Sequence, residues 1–198
     1  KNLFIETCHK EGLNCQTLVD SINTWNNTHL LVIGDSIIDQ YAACEPLGLS
    51  AEAPVVVVKE IKKRNFVGGA AIVAHHIKSL GAKCSFISVV GDDYNSYYLK
   101  NELKSKGIVD NLVIDKSRPT TFKKRYVVEN QKLFRVSCLE DHKLDKEIEK
   151  KIINKLRKIA PFINGIVISD FVYGVITENI VNEIQKLSKK YNLMIFGD

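Results

Sequence analysis

Four groups of residues in this chain have the types and spacing that chemistry needs. Gly68-Gly69 precedes the small-residue run Ala70-Ala71-Ile72-Val73-Ala74. Paired glycines let backbone N–H groups approach a bound group with no Cβ in the way, and a helix after them points its positive end at the same spot. Asp35 and Asp39 follow one apolar run, Asp170 ends another, and Asp198 closes the chain. Arg125 and Arg135, with Lys123, flank the turn Asn130-Gln131. Guanidiniums on paired hairpin arms are placed to grip an anion. Each group also has a plain structural reading: a Gly-Gly turn before an ordinary helix, solvated loop acids, cations on a wet strand face. Asp35 is read as a solvated loop acid. Asp39 stands open between the two.

The elements that would position these residues follow from periodicity. His29 to Asp35 is an apolar run closed by a glycine turn, as expected of a buried parallel strand. Ligands of such sheets gather at the carboxyl ends of strands. Ala70, Val73, Ala74, Ile77 and Leu80 mark the core stripe of a helix that stops at Gly81; Ile72 falls off the stripe, one turn from the glycines. Strands are expected at Lys83–Val90, Val109–Ile114, Gly165–Asp170 and Leu193–Phe196, the last of them buried. Helices are expected at Tyr97–Lys106, His142–Ile159 and from the cap Thr177 to Tyr191. Residues 53–61 and the arms 121–128 and 133–138 are strand-like with no helix between them. Alternation puts Lys123, Arg125 and Val127 on one face and Phe122, Lys124, Tyr126 and Val128 on the other. Alternating strands and helices argue for a parallel α/β sheet, and the two inserts, 41–66 and 118–138, read as one flap over the strand ends. Residues 1–28 are an extension or linker; Leu18, Val19, Ile22 and Trp25 there fit a short amphipathic helix.

Bulk composition narrows the function classes. The 198 residues are 45% hydrophobic and 26% charged, which suits one soluble domain or most of one. The net charge of +5 fits an anionic small-molecule substrate, and no basic block interleaved with aromatics points to nucleic acid. Five scattered cysteines without a C-x-x-C spacing read as reduced thiols of a cytoplasmic protein. Cys8-His9 with Cys15 is too thin a set for a zinc site. No membrane span or signal peptide is evident. The first residue is Lys1, and the last strand leads straight into Asp198, so a partial domain is expected.

Several of these pieces together resemble the ribokinase (PfkB) carbohydrate kinase family. They are Gly34-Asp35-Ser36-Ile37-Ile38-Asp39-Gln40-Tyr41, Ser50-Ala51-Glu52-Ala53-Pro54-Val55, Gly68-Gly69-Ala70-Ala71, Pro119-Thr120-Thr121-Phe122-Lys123-Lys124-Arg125, Asn130-Gln131, Arg135 and Ser169-Asp170. The nearest branch is the bacterial heptose-7-phosphate kinases of lipopolysaccharide synthesis. The resemblance implies a three-layer α/β/α domain with a β-sheet lid, here over residues 29–198. It implies phosphoryl transfer from ATP with Mg2+ to a carbohydrate hydroxyl, and a homodimer formed through the lid. By position, Asp39 would hold sugar hydroxyls, and Gly68 and Gly69 would offer N–H groups to the sugar. Lys123, Arg125, Gln131 and Arg135 would meet the phosphate already on the substrate, while Asp170 and Asp198 would line the cleft floor. Three positions depart from the family pattern. Ile72 stands where an asparagine usually contacts the sugar, and Tyr173 where a lysine is frequent. The family's Gly-Ala-Gly-Asp motif, with its catalytic base and the nucleotide-binding half, would lie beyond Asp198. The fragment alone is therefore expected to be inactive. A catalytically silent sugar-phosphate-binding or assembly module with the same fold is the alternative, and a bifunctional protein with a second, sugar-activating domain is a further one.

Overall fold

A computed structural model describes residues 2–129 and 131–197. Two helices come first, α1 (Asn2–Lys10) and α2 (Cys15–Trp25), the second started by an Asn14–Thr17 capping box. Only the second of them was expected. The apolar residues of α2 stay exposed. Strand β1 (His29–Gly34) then enters the core, and Leu31, Val32 and Ile33 are fully buried because helices cover both faces of its sheet.

Two 14-residue strands follow, β2 (Ser36–Leu49) and β3 (Val56–Gly69), and lead into α3 (Ala70–Ser79). The anticipated strand at 53–61 is thus only part of β3, and β2 was not anticipated. Next come β4 (Lys83–Ile87), β5 (Val89–Val90), α4 (Tyr94–Ser105), β6 (Val109–Asp110) and β7 (Val113–Ile114). The hairpin is β8 (Phe122–Val128) with β9 (Gln131–Cys138). The chain continues through α5 (Lys146–Ile159), β10 (Gly165–Ser169), α6 (Glu178–Tyr191) and β11 (Met194–Gly197). Thr177 caps α6 as its sequence predicts.

The main sheet is parallel in the order β11-β10-β1-β4-β6. One core lies under α5 and α6, where Ile152, Leu156, Ile180 and Ile184 meet Leu31 and Ile33. The other lies under α3 and α4, where Ala70, Ala74, Leu99 and Leu103 meet Val32 and Phe86. Alternate residues of β1 therefore feed opposite layers, which makes a three-layer α/β/α arrangement. Two expectations fail at its margins. Leu80 is 54% exposed, because α3 ends at Ser79 and the stripe runs out with it. Among the described residues strand β11 pairs only with β10 and is exposed along its length, so there it is an edge and not the buried strand expected.

The second sheet has the order β3-β2-β8-β9, so the two inserts form one sheet as expected. Strands β2 and β3 are antiparallel, β2 and β8 parallel, and β8 and β9 antiparallel. The β2–β3 ladder shifts register between Ala43 and Cys44 and again between Pro46 and Gly48, and the β8–β9 ladder between Tyr126 and Val127. Its base is anchored in the core through Ile38, Val67 and Phe122.

Candidate active site: the lid face and the cleft floor

The register fixes which lid side chains share a face. Asp39 lies beside Phe66 on β3 and Lys123 on β8, and Tyr41 beside Arg64 and Arg125. Arg125 in turn faces Arg135 on β9. Period-two alternation therefore gathers Asp39, Tyr41, Arg64, Phe66, Lys123, Arg125 and Arg135 on one surface. A cavity of about 650 Å³ opens there, lined by Asp39, Tyr41, Lys62, Lys63, Arg64, Phe66 and Val127 among others. Lys124 belongs to the other face, as alternation predicts, and reaches Glu60 at 2.6 Å; that hydrogen bond raises the lysine's pKa.

Asp39 is half-buried, and its carboxylate pairs with the Arg125 guanidinium. That guanidinium also lies 5.4 Å from the centre of the Tyr41 ring. Gly68 makes room for the pair: a Cβ there would run into the Asp39 carboxylate. Gly69 has another duty. With φ +58° it turns the chain from β3 into α3, and a Cβ would strike the Asp35 carbonyl. That carbonyl accepts the Ala70 N–H at 2.8 Å, so the glycine pair is welded to the end of β1. Both glycines sit at the end of a ladder strand rather than in a free turn.

Asp35 is not the solvated acid that its loop position implied. It is 1% exposed, and its carboxylate accepts the backbone N–H groups of Phe171 (2.8 Å), Tyr173 (3.2 Å) and Val175 (3.3 Å). Burial pushes its pKa up, with Asp170 nearby adding to the rise and the three amides opposing it. Asp35 thus shapes the loop after β10, the floor of the cleft. Arg118 holds the same loop from the other side. It is 7% exposed and binds Asp115 at 2.9 Å, the Tyr173 carbonyl at 3.0 Å and the His142 carbonyl at 2.7 Å. Burial pulls the Asp115 pKa up, but hydrogen bonds from Ser117 and Arg118 outweigh it and hold the group below its ordinary value.

The floor loop presents Tyr173 to the lid. Lys123 is 7% exposed, and its Nζ stands 4.9 Å from the centre of the Tyr173 ring. Asp170 is exposed at the end of β10 and accepts the Val172 N–H at 2.8 Å. Ile72 is 37% exposed on the first turn of α3.

Of the residues singled out from the sequence, Asp39, Gly68, Lys123, Arg125 and Arg135 come together on the lid face, and Gly69 and Asp170 belong to its floor. Gln131 does not join them. It pairs with Val128 at the lid tip, on the face opposite Arg125. Asp198 lies outside the described residues. Tyr41, Arg64 and Phe66 were not anticipated: their place comes from pairing β3 with β2, which no local pattern encodes. Among the described residues no group of three or more His, Cys, Asp or Glu is set to hold a metal. The lone carboxylate of Asp170 suits a cation that arrives with phosphates better than one held by protein alone.

Comparison with known proteins bears on the fold and the family. Residues 27–195 match the model of the pfkB family carbohydrate kinases. The Bifunctional protein HldE of Helicobacter pylori is 35% identical over 170 residues, covering 85% of this chain and 37% of that protein. Its namesake from Campylobacter jejuni subsp. doylei is 34% identical over 175 residues, covering 85% and 35%. The chain thus spans little more than a third of the curated relatives it matches. Among solved structures, Arabidopsis thaliana ribokinase complexed with ribose and ATP superposes with TM-score 0.58 at 15% identity, over 86% of this chain and 53% of that one. The tetrameric inhibited form of Escherichia coli phosphofructokinase-2 gives TM-score 0.63 at 14% identity, over 86% and 54%. With a ribokinase-like fold and a family match over most of its length, the chain belongs to the pfkB family of carbohydrate kinases.

Proposed function

We propose that this chain is the substrate-binding part of a sugar-phosphate kinase that transfers a phosphoryl group from ATP to a carbohydrate hydroxyl. The substrate is a heptose 7-phosphate or a close analogue, destined for a surface-glycan precursor. The observation that carries this reading is the lid face: one carboxylate, Asp39, set among Lys123, Arg125 and Arg135 beside a glycine pair. Carboxylates recognise sugar hydroxyls, and arginines recognise phosphate. A surface with both suits a sugar that already carries a phosphate.

In this reading Asp39 accepts hydrogen bonds from two neighbouring hydroxyls, while Arg125 orients its carboxylate. Gly68 lets the sugar and the carboxylate approach the strand. Lys123, Arg125 and Arg135 neutralise the existing phosphate, and Asp170 orients the floor. ATP with Mg2+, when bound, supplies the phosphoryl group, and Asp170 is the described residue placed to face it. Such chemistry is mainly positioning and charge neutralisation. A lid over the site excludes water and strengthens both. The reading places the enzyme in the cytoplasm, with residues 29–198 as one domain after an extension at 1–28. The lid's exposed apolar residues Leu133, Phe134 and Val136 support a homodimer through the lid.

The test has two arms. Calorimetry of the 198-residue chain with D-sedoheptulose 7-phosphate should give binding that Asp39→Ala weakens. ADP release by the polypeptide as encoded in its gene should require the same class of sugar. Binding without ADP release would favour the silent module, a reading that Tyr173 supports: its ring occupies the ammonium group of Lys123.

A further inference from the structure

The cleft face of the lid carries more positive charge than the hairpin alone supplies. Strand β3 adds Lys62 and Arg64, which sit beside Ala43 and Tyr41 on the same face as Arg125 and Arg135. Arg125 is engaged by Asp39, and Lys123 by the Tyr173 ring. Lys62, Arg64 and Arg135 have no carboxylate within ion-pair distance among the described residues. Three unmatched cations on one concave face repel one another, and an anionic ligand relieves that.

Arg64 is also held in place. Its guanidinium carbon stands 5.0 Å from the centre of the Phe66 ring. Phe66 packs edge-on against Tyr41 at 5.7 Å, and Tyr41 carries Arg125 at 5.4 Å. The four side chains form a row, cation, ring, ring, cation; Arg64, Phe66 and Tyr41 line the 650 Å³ cavity, and Arg125 closes the row beside Tyr41. A stacked guanidinium loses less freedom when it binds than a free one. Strands β3 and β8 are two ladder spacings apart, roughly 10 Å, so Arg64 and Arg125 approach a ligand over Tyr41 from opposite sides.

We infer that Arg64 is a specificity-determining residue: the phosphorylated end of the substrate is gripped from both sides of the lid, by Arg64 from β3 and by Arg125 and Arg135 from β8 and β9. Tyr41 and Phe66, 37% and 41% exposed, form the platform beneath the substrate's carbon chain. This inference rests on the sugar-phosphate reading of the same face and adds the third strand to it. The site therefore prefers a sugar with phosphate at the end of an extended chain, remote from the hydroxyls that Asp39 holds beside Gly68.

The experiment is calorimetric titration of the 198-residue chain with D-sedoheptulose 7-phosphate and with D-sedoheptulose. The unmodified chain should bind the phosphorylated sugar at least tenfold more tightly. Arg64→Gln should cut that preference tenfold or more, leave affinity for the unphosphorylated sugar unchanged, and leave the melting temperature unchanged because Arg64 is exposed. Arg64→Lys should fall between. If Arg125→Gln and Arg135→Gln erase the preference while Arg64→Gln preserves it, the inference is wrong and the sugar-phosphate reading stands. No preference in the unmodified chain overturns both.

Discussion

Asp35 and Asp39 lie four residues apart, the first at the β1–β2 junction and the second within β2, and do opposite things. Asp35 is sealed in, and its oxygens are taken by three backbone amides of the floor loop. Asp39 is half-open and answers to one side-chain partner, Arg125. A carboxylate satisfied by amides in a dry site is structural, because nothing is left for a ligand to bind. A carboxylate steered by a guanidinium at a cavity edge keeps lone pairs for hydroxyls. The adjacent glycines repeat the contrast: Gly69 serves the backbone turn under Asp35, and Gly68 serves the space around Asp39.

The largest effect expected is that of Asp35→Ala. Orphaning the buried Val175 amide and the half-buried amides of Phe171 and Tyr173, at roughly 1–3 kcal/mol for a buried donor and less for the others, should lower stability by about 2–4 kcal/mol, read from urea denaturation. A loss below about 1 kcal/mol would erase the distinction between the two acids. Asp39→Ala should hardly change the denaturation midpoint, yet weaken sugar-phosphate binding by ~1.5–3 kcal/mol. Unchanged affinity would return Asp39 to the solvated-acid reading. Gly69→Ala should destabilise by about 1–3 kcal/mol, since its backbone lies in a region that side chains avoid. Gly68→Ala should instead displace Asp39 and act on affinity. Exchanged phenotypes would break the glycine half of the comparison.

The smallest effect concerns pH. Asp35 has its pKa raised in the folded state, so on acidification the folded protein takes up that proton before the unfolded chain does. Its unfavourable charge burial fades as pH falls from neutrality towards 3.8. The melting-temperature gap between the parent and Asp35→Asn should therefore widen as pH falls from 7 to 4. A gap that stays constant or narrows would show that the amides overrule burial.

Much of the fold is legible because its causes are local. The runs Leu31–Ile33 and Ile166–Ile168 read as buried parallel strands because their sheet is covered on both faces. The split of Lys123 and Arg125 from Lys124 follows from alternation, and the antiparallel pairing of β8 with β9 sets Arg125 opposite Arg135. What escaped depends on partners far along the chain. Strand β2 carries Gly48 and Pro46 and alternates poorly, and its extended form depends on β3 and β8. Burial of Asp35 depends on a loop more than 130 residues away, and Arg64 joins the site only through register. Sequence carried Gln131 into the site by family position, while the pairing turns it to the far face.

Two of the lid's three register shifts fall at one height, since Ala43 lies beside Val127 and Ala42 beside Tyr126; the third, between Pro46 and Gly48, lies nearer the tip. Each shift adds local bend and twist to its strand pair. Aligned across neighbouring strands, the two at one height form a crease just above Tyr41 and Arg125. Flexing concentrated at this line would swing the outer tip, with Leu47 and Gln131, like the peak of a cap. Below it, the brim that touches the ligand keeps its shape, so the jaw can admit a guest without dismantling the fingers that recognise it.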